Sequence, residues 1–189
     1  QRSATLFLVK AIFSALTAVF FIFVSCNYPF QPIQFTLINA VSIGIPSFFL
    51  ALEPNCERIH GKFIVNVLKK SLPGSFALTI NIALLSAVSM FLGFTDKEIS
   101  TMAVILTGYT ELFVLFQVCR PFNKRHTVLF VSMAFLFVAA LIKFPNLFEI
   151  TPVTLPMLAA LIVLMLFATF LMPVLYHFFQ KVIFRKSKA

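Results

Sequence analysis

Six apolar runs, each close to the length that crosses a bilayer, take up most of this chain. They lie near residues 4–26, 32–52, 74–94, 99–119, 127–144 and 153–180. A helix needs about 20 such residues to span the hydrocarbon. The chain has 189 residues, 60% of them hydrophobic and 11% charged, with a mean hydropathy of +1.01. Soluble domains carry about 25% charged residues, so this chain cannot hide its apolar surface from water, and lipid is its solvent. In hydrocarbon each backbone N–H and C=O must be paired internally, which favours helices for runs of this length. The fold class read from the sequence is therefore all-α: one polytopic membrane domain over 1–189, six helices in three hairpins.

Orientation follows from the basic residues. Of fifteen Lys and Arg, only Lys97 and Lys143 fall on one side of the six-span arrangement. The positive-inside rule then places both termini in the cytoplasm. Residues 53–71 form the largest cytoplasmic connection, and KFIVNVLKK within it is expected to lie as a short amphipathic helix on the membrane surface. Tyr28 and Tyr109 are expected to anchor one membrane face and Tyr176 the other, in a chain with 26 Phe and no Trp. Pro156 and Pro173 are expected to kink the last helix. The first residue is Gln1, so a natural start is not expected there, and the first run is too long for a signal peptide.

Several function classes lose support at this stage. A net charge of +9 would suggest nucleic acid in a soluble protein. Here the charge sits between apolar runs, with no aromatic–basic interleaving and no glycine-rich phosphate loop. No nucleic-acid partner is expected. Cys26, Cys56 and Cys119 are too far apart for a zinc site or a disulfide framework. His60, His126 and His177 are unclustered, which argues against a metal centre built from them. No serine or cysteine is paired with a base at a spacing that suggests nucleophilic catalysis.

The polar residues inside the spans carry the functional signal. PIQFTLINAVSIGIPSFFLALEPN, residues 32–55, holds Asn39, Ser42, Gly44 and Pro46 within an apolar run. On a regular helix, Thr36, Asn39, Ser42 and Pro46 share one side. Pro46 has no N–H for the carbonyl of Ser42, and Gly44 lowers the cost of a local break. A helix with freed carbonyl oxygens and an amide belongs against protein, water or an ion, as in transporters that coordinate cations on half-unwound helices.

Glu111 is the one carboxylate well inside a span, with Thr107, Thr110 and Gln117 on its face. A carboxylate at that depth reads as functional, with a partner to be found. Lys10 sits at a similar depth on the first span. It either snorkels to the headgroups or serves as a counter-charge to Glu111. Asn81, Ser86 and Ser89 read as packing residues of the third span.

The order LFLVK, IFSALTA, PFQP and then PIQFTLINAVSIGIPSFFLALEPN resembles the fifth and sixth membrane helices of P-type cation-transporting ATPases. The N-x-x-S/T-x-G-x-P pattern is similar to the calcium-pump type, and GIPSFFLALEPN looks like its bacterial members. The other four spans match the family's helices seven to ten in topology. The resemblance implies that Asn39 and Ser42 are cation ligands, with Gly44 and Pro46 at the helix break. It departs at Ile43, where calcium pumps place aspartate, and in the first helix, which lacks their glutamate. These helices would then offer at most one cation site. The family's phosphorylated aspartate, nucleotide-binding domain and first four helices have no counterpart here. The chain alone is expected to hydrolyse no ATP and to need no cofactor, while ATP and Mg2+ would be used elsewhere in the parent.

The reading is thus a transport-domain fragment of an ATP-driven cation pump in a bacterial plasma membrane, partnered by lipid, an inorganic cation and the rest of the pump. Two alternatives stand beside it: a freestanding six-helix channel or secondary transporter, and a structural subunit of a membrane complex.

Overall fold

The computed structural model describes residues 1–24, 27–52, 63–120 and 123–182. Cys26, Cys56, His60 and most of the 53–71 connection lie outside the described residues. The described chain is all-helical: α1 (Arg2–Phe23), α2 (Pro32–Asn39), a π-helical turn (Ala40–Gly44), α3 (Ile45–Ala51), α4 (Phe63–Leu92), α5 (Asp96–Val118), α6 (Lys124–Lys143) and α7 (Leu155–Val182). With α2, the π turn and α3 taken as one span, six helices are long and apolar enough to cross a membrane.

Local chemistry sets the helix starts. Pro32 opens α2, where its missing N–H costs nothing and its fixed φ suits the first turn. Gln34 Oε1 accepts from the Gln31 N–H at 3.0 Å. At α5, Glu98 Oε2 accepts from the Thr95 N–H at 2.9 Å, and Asp96 and Glu98 place negative charge where the helix dipole favours it. Asn123 opens α6 by accepting from the Lys124 N–H at 2.8 Å. Gly93, with φ +67°, ends α4 in the left-handed conformation that glycine adopts without penalty. The chain then turns into α5 within a few residues.

The polar ends of the bundle are distinct. At one end Asn27 donates to Asp96 at 3.3 Å and Gln31 donates to Glu149 at 2.5 Å. At the other, Arg2 meets His126 at 2.9 Å and Ser3 donates to the carbonyl of Ser47 at 3.1 Å. This second end also carries Lys70 and Arg120, and it is called the basic end below.

Chain order does not dictate the packing. α4 is the centre, lying against α1, α5 and α7. α5 touches α4, α6, α7, α1 and the second span, and it is the most buried of the six. Although consecutive, α6 and α7 pack on different parts of the bundle, α6 against α5 and the second span, α7 against α4 and α5. Water offers no drive for helix association in lipid, so close approach and hydrogen bonds decide the partners. Gly74 and Gly108 mark the tight contacts. A Cβ on Gly74 would stand 2.9 Å from Val114 Cγ2, and one on Gly108 would overlap the tip of the Phe137 ring.

Two expectations change. Residues 63–70 of KFIVNVLKK do not lie as a separate surface helix; they are the first turns of α4, which runs on through Pro73 without a break. Tyr109 is not a surface anchor, because its hydroxyl meets Thr169 Oγ1 of α7 at 2.8 Å. Unmet hydrogen-bonding capacity costs several kcal/mol in hydrocarbon, which favours the longer continuous helix and the paired phenol.

Candidate functional site

The second span bears the only π turn among the described residues. At its C-terminal edge the Ile45 N–H reaches the carbonyl of Ala40, five residues back. The expected half-unwound break is therefore a widened helical turn, still closed by backbone bonds. Pro46, which cannot donate to Ser42, lies two residues after its end. π turns of this kind occur often at functional positions.

The widened turn also alters which residues share a face. One extra residue rotates the helix phase by about 100°. Thr36 is exposed and bonds back to the Pro32 carbonyl at 3.3 Å. Asn39 is half-buried, whereas Ser42 and Pro46 are buried. The four do not form one buried stripe. Gly44 is exposed, and a Cβ there would meet Asn39 O at 3.4 Å, an ordinary contact, so sterics do not demand glycine.

Ser42 faces Glu111. Its hydroxyl hydrogen-bonds to Glu111 Oε2 and also reaches the Ile38 carbonyl at 2.5 Å. A hydroxyl has one proton and a carbonyl only accepts. The single Ser42 donor is therefore shared between the Ile38 carbonyl and the Glu111 carboxyl oxygen. Glu111 is 4% exposed, on α5 opposite the π turn. Beside the pair is a cavity of about 10 Å³ lined by Leu6, Val9, Ser42, Ile43, Glu111 and Val114. That is the smallest space that holds one water. Lys10 is half-buried on α1 and makes no direct ion pair with Glu111 among the described residues.

One residue before Glu111 a second polar contact begins. Asn81 Nδ2 of α4 donates to Thr110 Oγ1 at 3.2 Å, and Thr110 donates to the Leu106 carbonyl at 2.8 Å. Asn81 Oδ1 and Thr107 Oγ1 are buried without a hydrogen-bond partner, leaving two oxygens of α4 and α5 unused. Gln117 belongs elsewhere, in a cleft at the basic end. Among the described residues no three His, Cys, Asp or Glu side chains gather into a metal-holding group. The oxygens near Glu111 are instead one carboxyl, hydroxyls, amides and helix carbonyls.

Gln34 was not among the residues singled out from sequence. It is fully buried, accepts from Ser100 Oγ at 2.9 Å and donates to the Phe148 carbonyl at 3.2 Å. It ties the N-terminal end of the second span to α5 and to the segment before α7. Its spacing from Gln31 across Pro32 was the available signal.

The chain is similar to part of several bacterial cation-transporting ATPases. It is 29% identical over 161 residues to the probable cation-transporting ATPase exp7 of Streptococcus pneumoniae, covering 80% of this chain and 21% of that protein. It is 33% identical over 140 residues to the calcium-transporting ATPase CtpE of Mycobacterium tuberculosis, covering 65% of this chain and 17% of the relative. The CtpE of Mycolicibacterium smegmatis is 31% identical over 141 residues, with 65% and 17% covered. The chain thus spans about a fifth of the length of these curated relatives. No protein-family model matches it, and no solved structure does.

Proposed function

We propose, on the premise of that similarity, that this chain is the C-terminal part of the transport domain of an ATP-driven cation pump, and that the cation binds between the π turn and Glu111. The observation that carries the proposal is the Ser42–Glu111 hydrogen bond, which joins an irregular helix to a buried carboxyl. Glu111 supplies the charge, Ser42 and Asn39 supply neutral oxygens, and carbonyls around Pro46 complete this side of the site. Hard cations such as calcium take six to eight oxygens, so the remaining ligands come from parts of the larger polypeptide. Lys10 serves as the standing positive charge that balances Glu111 when no cation is bound. ATP and Mg2+ act in the cytoplasmic parts of the parent, and both termini of this chain face the cytoplasm of a bacterial cell.

The relatives named calcium-transporting make Ca2+ the first cation to test. In the intact polypeptide, Glu111→Gln is expected to weaken cation stimulation of ATPase activity by about tenfold or more, the equivalent of about 1.4 kcal/mol. Asn39→Ala acts in the same direction. Stimulation at parental affinity in both variants would remove the site from this place. Cation flux through liposomes containing only this chain would replace the pump reading with a freestanding channel or transporter.

A further inference from the structure

A second polar feature lies at the basic end, away from Glu111. A cleft of about 380 Å³ opens between α4, α5 and α7. Three basic side chains line it: Lys70 from α4, Arg120 just after α5 and His177 from α7. All three are exposed. Gln117 and Tyr176 add polar groups to the lining, and no acidic side chain among the described residues lines it. The Arg120 guanidinium lies 5.0 Å from the centre of the Phe116 ring, a cation–π contact that limits where the fork can point.

The cleft has a closed floor and an apolar flank. Gly74 and Val114 bring α4 and α5 into close contact beneath it, and Met172 lines it as a buried side chain. Next to His177 on α7, Val174 and Phe178 expose 63% and 54% of their surface. A soluble anion would have no use for that flank, but an acyl chain would. Basic pockets between transmembrane helices at a membrane face hold phosphate headgroups in this manner.

We propose that this cleft binds an anionic phospholipid, its phosphate held by Lys70, Arg120 and His177 and its chains laid along α7. The donors lie on or next to three packed helices, so a bound headgroup would brace the α4–α5–α7 unit. The proposal is independent of the cation site.

The test uses the intact polypeptide in neutral detergent. Native mass spectrometry compares retention of phosphatidylglycerol and phosphatidylcholine with matched chains. The expected result is preferential retention of phosphatidylglycerol. Lys70→Gln with Arg120→Gln should lower that preference by about fivefold for each cation removed. A control pair, Lys124→Gln with Arg125→Gln, removes the same charge from the start of α6 and should leave the preference intact. If the first pair fails to fold, judged by its melting profile, the two single variants carry the test. Equal retention of both lipids by the parent would overturn the proposal. So would a preference that survives the Lys70 and Arg120 changes, or one lost equally in the control. Displacement of the lipid by millimolar inorganic phosphate would reassign the cleft to a soluble anion and also overturn it.

Discussion

Among the prolines within the spans, Pro73 and Pro46 are accommodated in opposite ways. Pro73 sits in α4, which stays α-helical from Phe63 to Leu92. Pro46 follows a π turn that divides its span. The nearby serines mark the difference. In α4, Ser71 and Ser75 bond only to their own helix, at 3.4 Å to Leu68 O and 2.8 Å to Ser71 O. In the second span, Ser42 also leaves its helix to reach Glu111. Val9 and Val114 stand between the two places: they touch the Gly74 position on one side and wall the small cavity beside Ser42 on the other. A proline removes one hydrogen bond wherever it falls. The neighbouring helix offers valine in one case and a carboxyl in the other.

The sharpest way to break this comparison is to remove each proline from the intact polypeptide. Pro46→Ala restores an N–H to the Ser42 carbonyl and should favour a regular turn. It is expected to lower cation-stimulated turnover by about tenfold or more, a loss of about 1.4 kcal/mol or more. Pro73→Ala should leave turnover within about twofold, under about 0.5 kcal/mol. Equal effects would mean that neither proline has a special place.

Next in size is packing at α5. Gly108→Ala forces the Phe137 ring from its buried seat, and overpacking of this kind costs about 1–3 kcal/mol. The loss should be visible as a lower melting point in detergent, and Phe137→Leu in the same chain should recover much of it. Absence of recovery would show that the α5–α6 contact is not the cause.

The smallest contrast separates the two serines. Ser42→Ala leaves Glu111 without its partner and is expected to cost about 1–3 kcal/mol, the penalty for an orphaned buried group. Ser75→Ala removes a bond within its own helix and should stay within about 0.5 kcal/mol. Chemical unfolding of both variants side by side reads the difference, and equal costs would contradict the inter-helix role of Ser42.

The six spans were legible because their signal is additive: about twenty apolar residues in a row outweigh any single polar one. Boundaries were less so. The span placed at 74–94 begins eleven residues earlier, at Phe63, since Lys69, Lys70 and Pro73 resemble loop residues although a helix accommodates all three. At the candidate site, Asn39, Ser42, Pro46, Glu111 and Lys10 could be chosen from sequence because polar residues in hydrocarbon are rare. Their arrangement could not. Gln34 also escaped notice, as its partners Ser100 and Phe148 are far along the chain.

Composition and apolar run length, read from the sequence alone, determined that this protein is a six-span helical membrane protein, and the spacing of N-x-x-S-x-G-x-P pointed to one span as irregular. Those are properties of neighbours along the chain, which a linear reading captures. Only the tertiary structure decided that the irregularity is a π turn, that Ser42 rather than Asn39 meets Glu111, and that α6 and α7 pack apart. Each depends on which helices approach, and that choice rests on contacts such as Gly108 with Phe137 and Gly74 with Val114, made between residues the sequence leaves far apart.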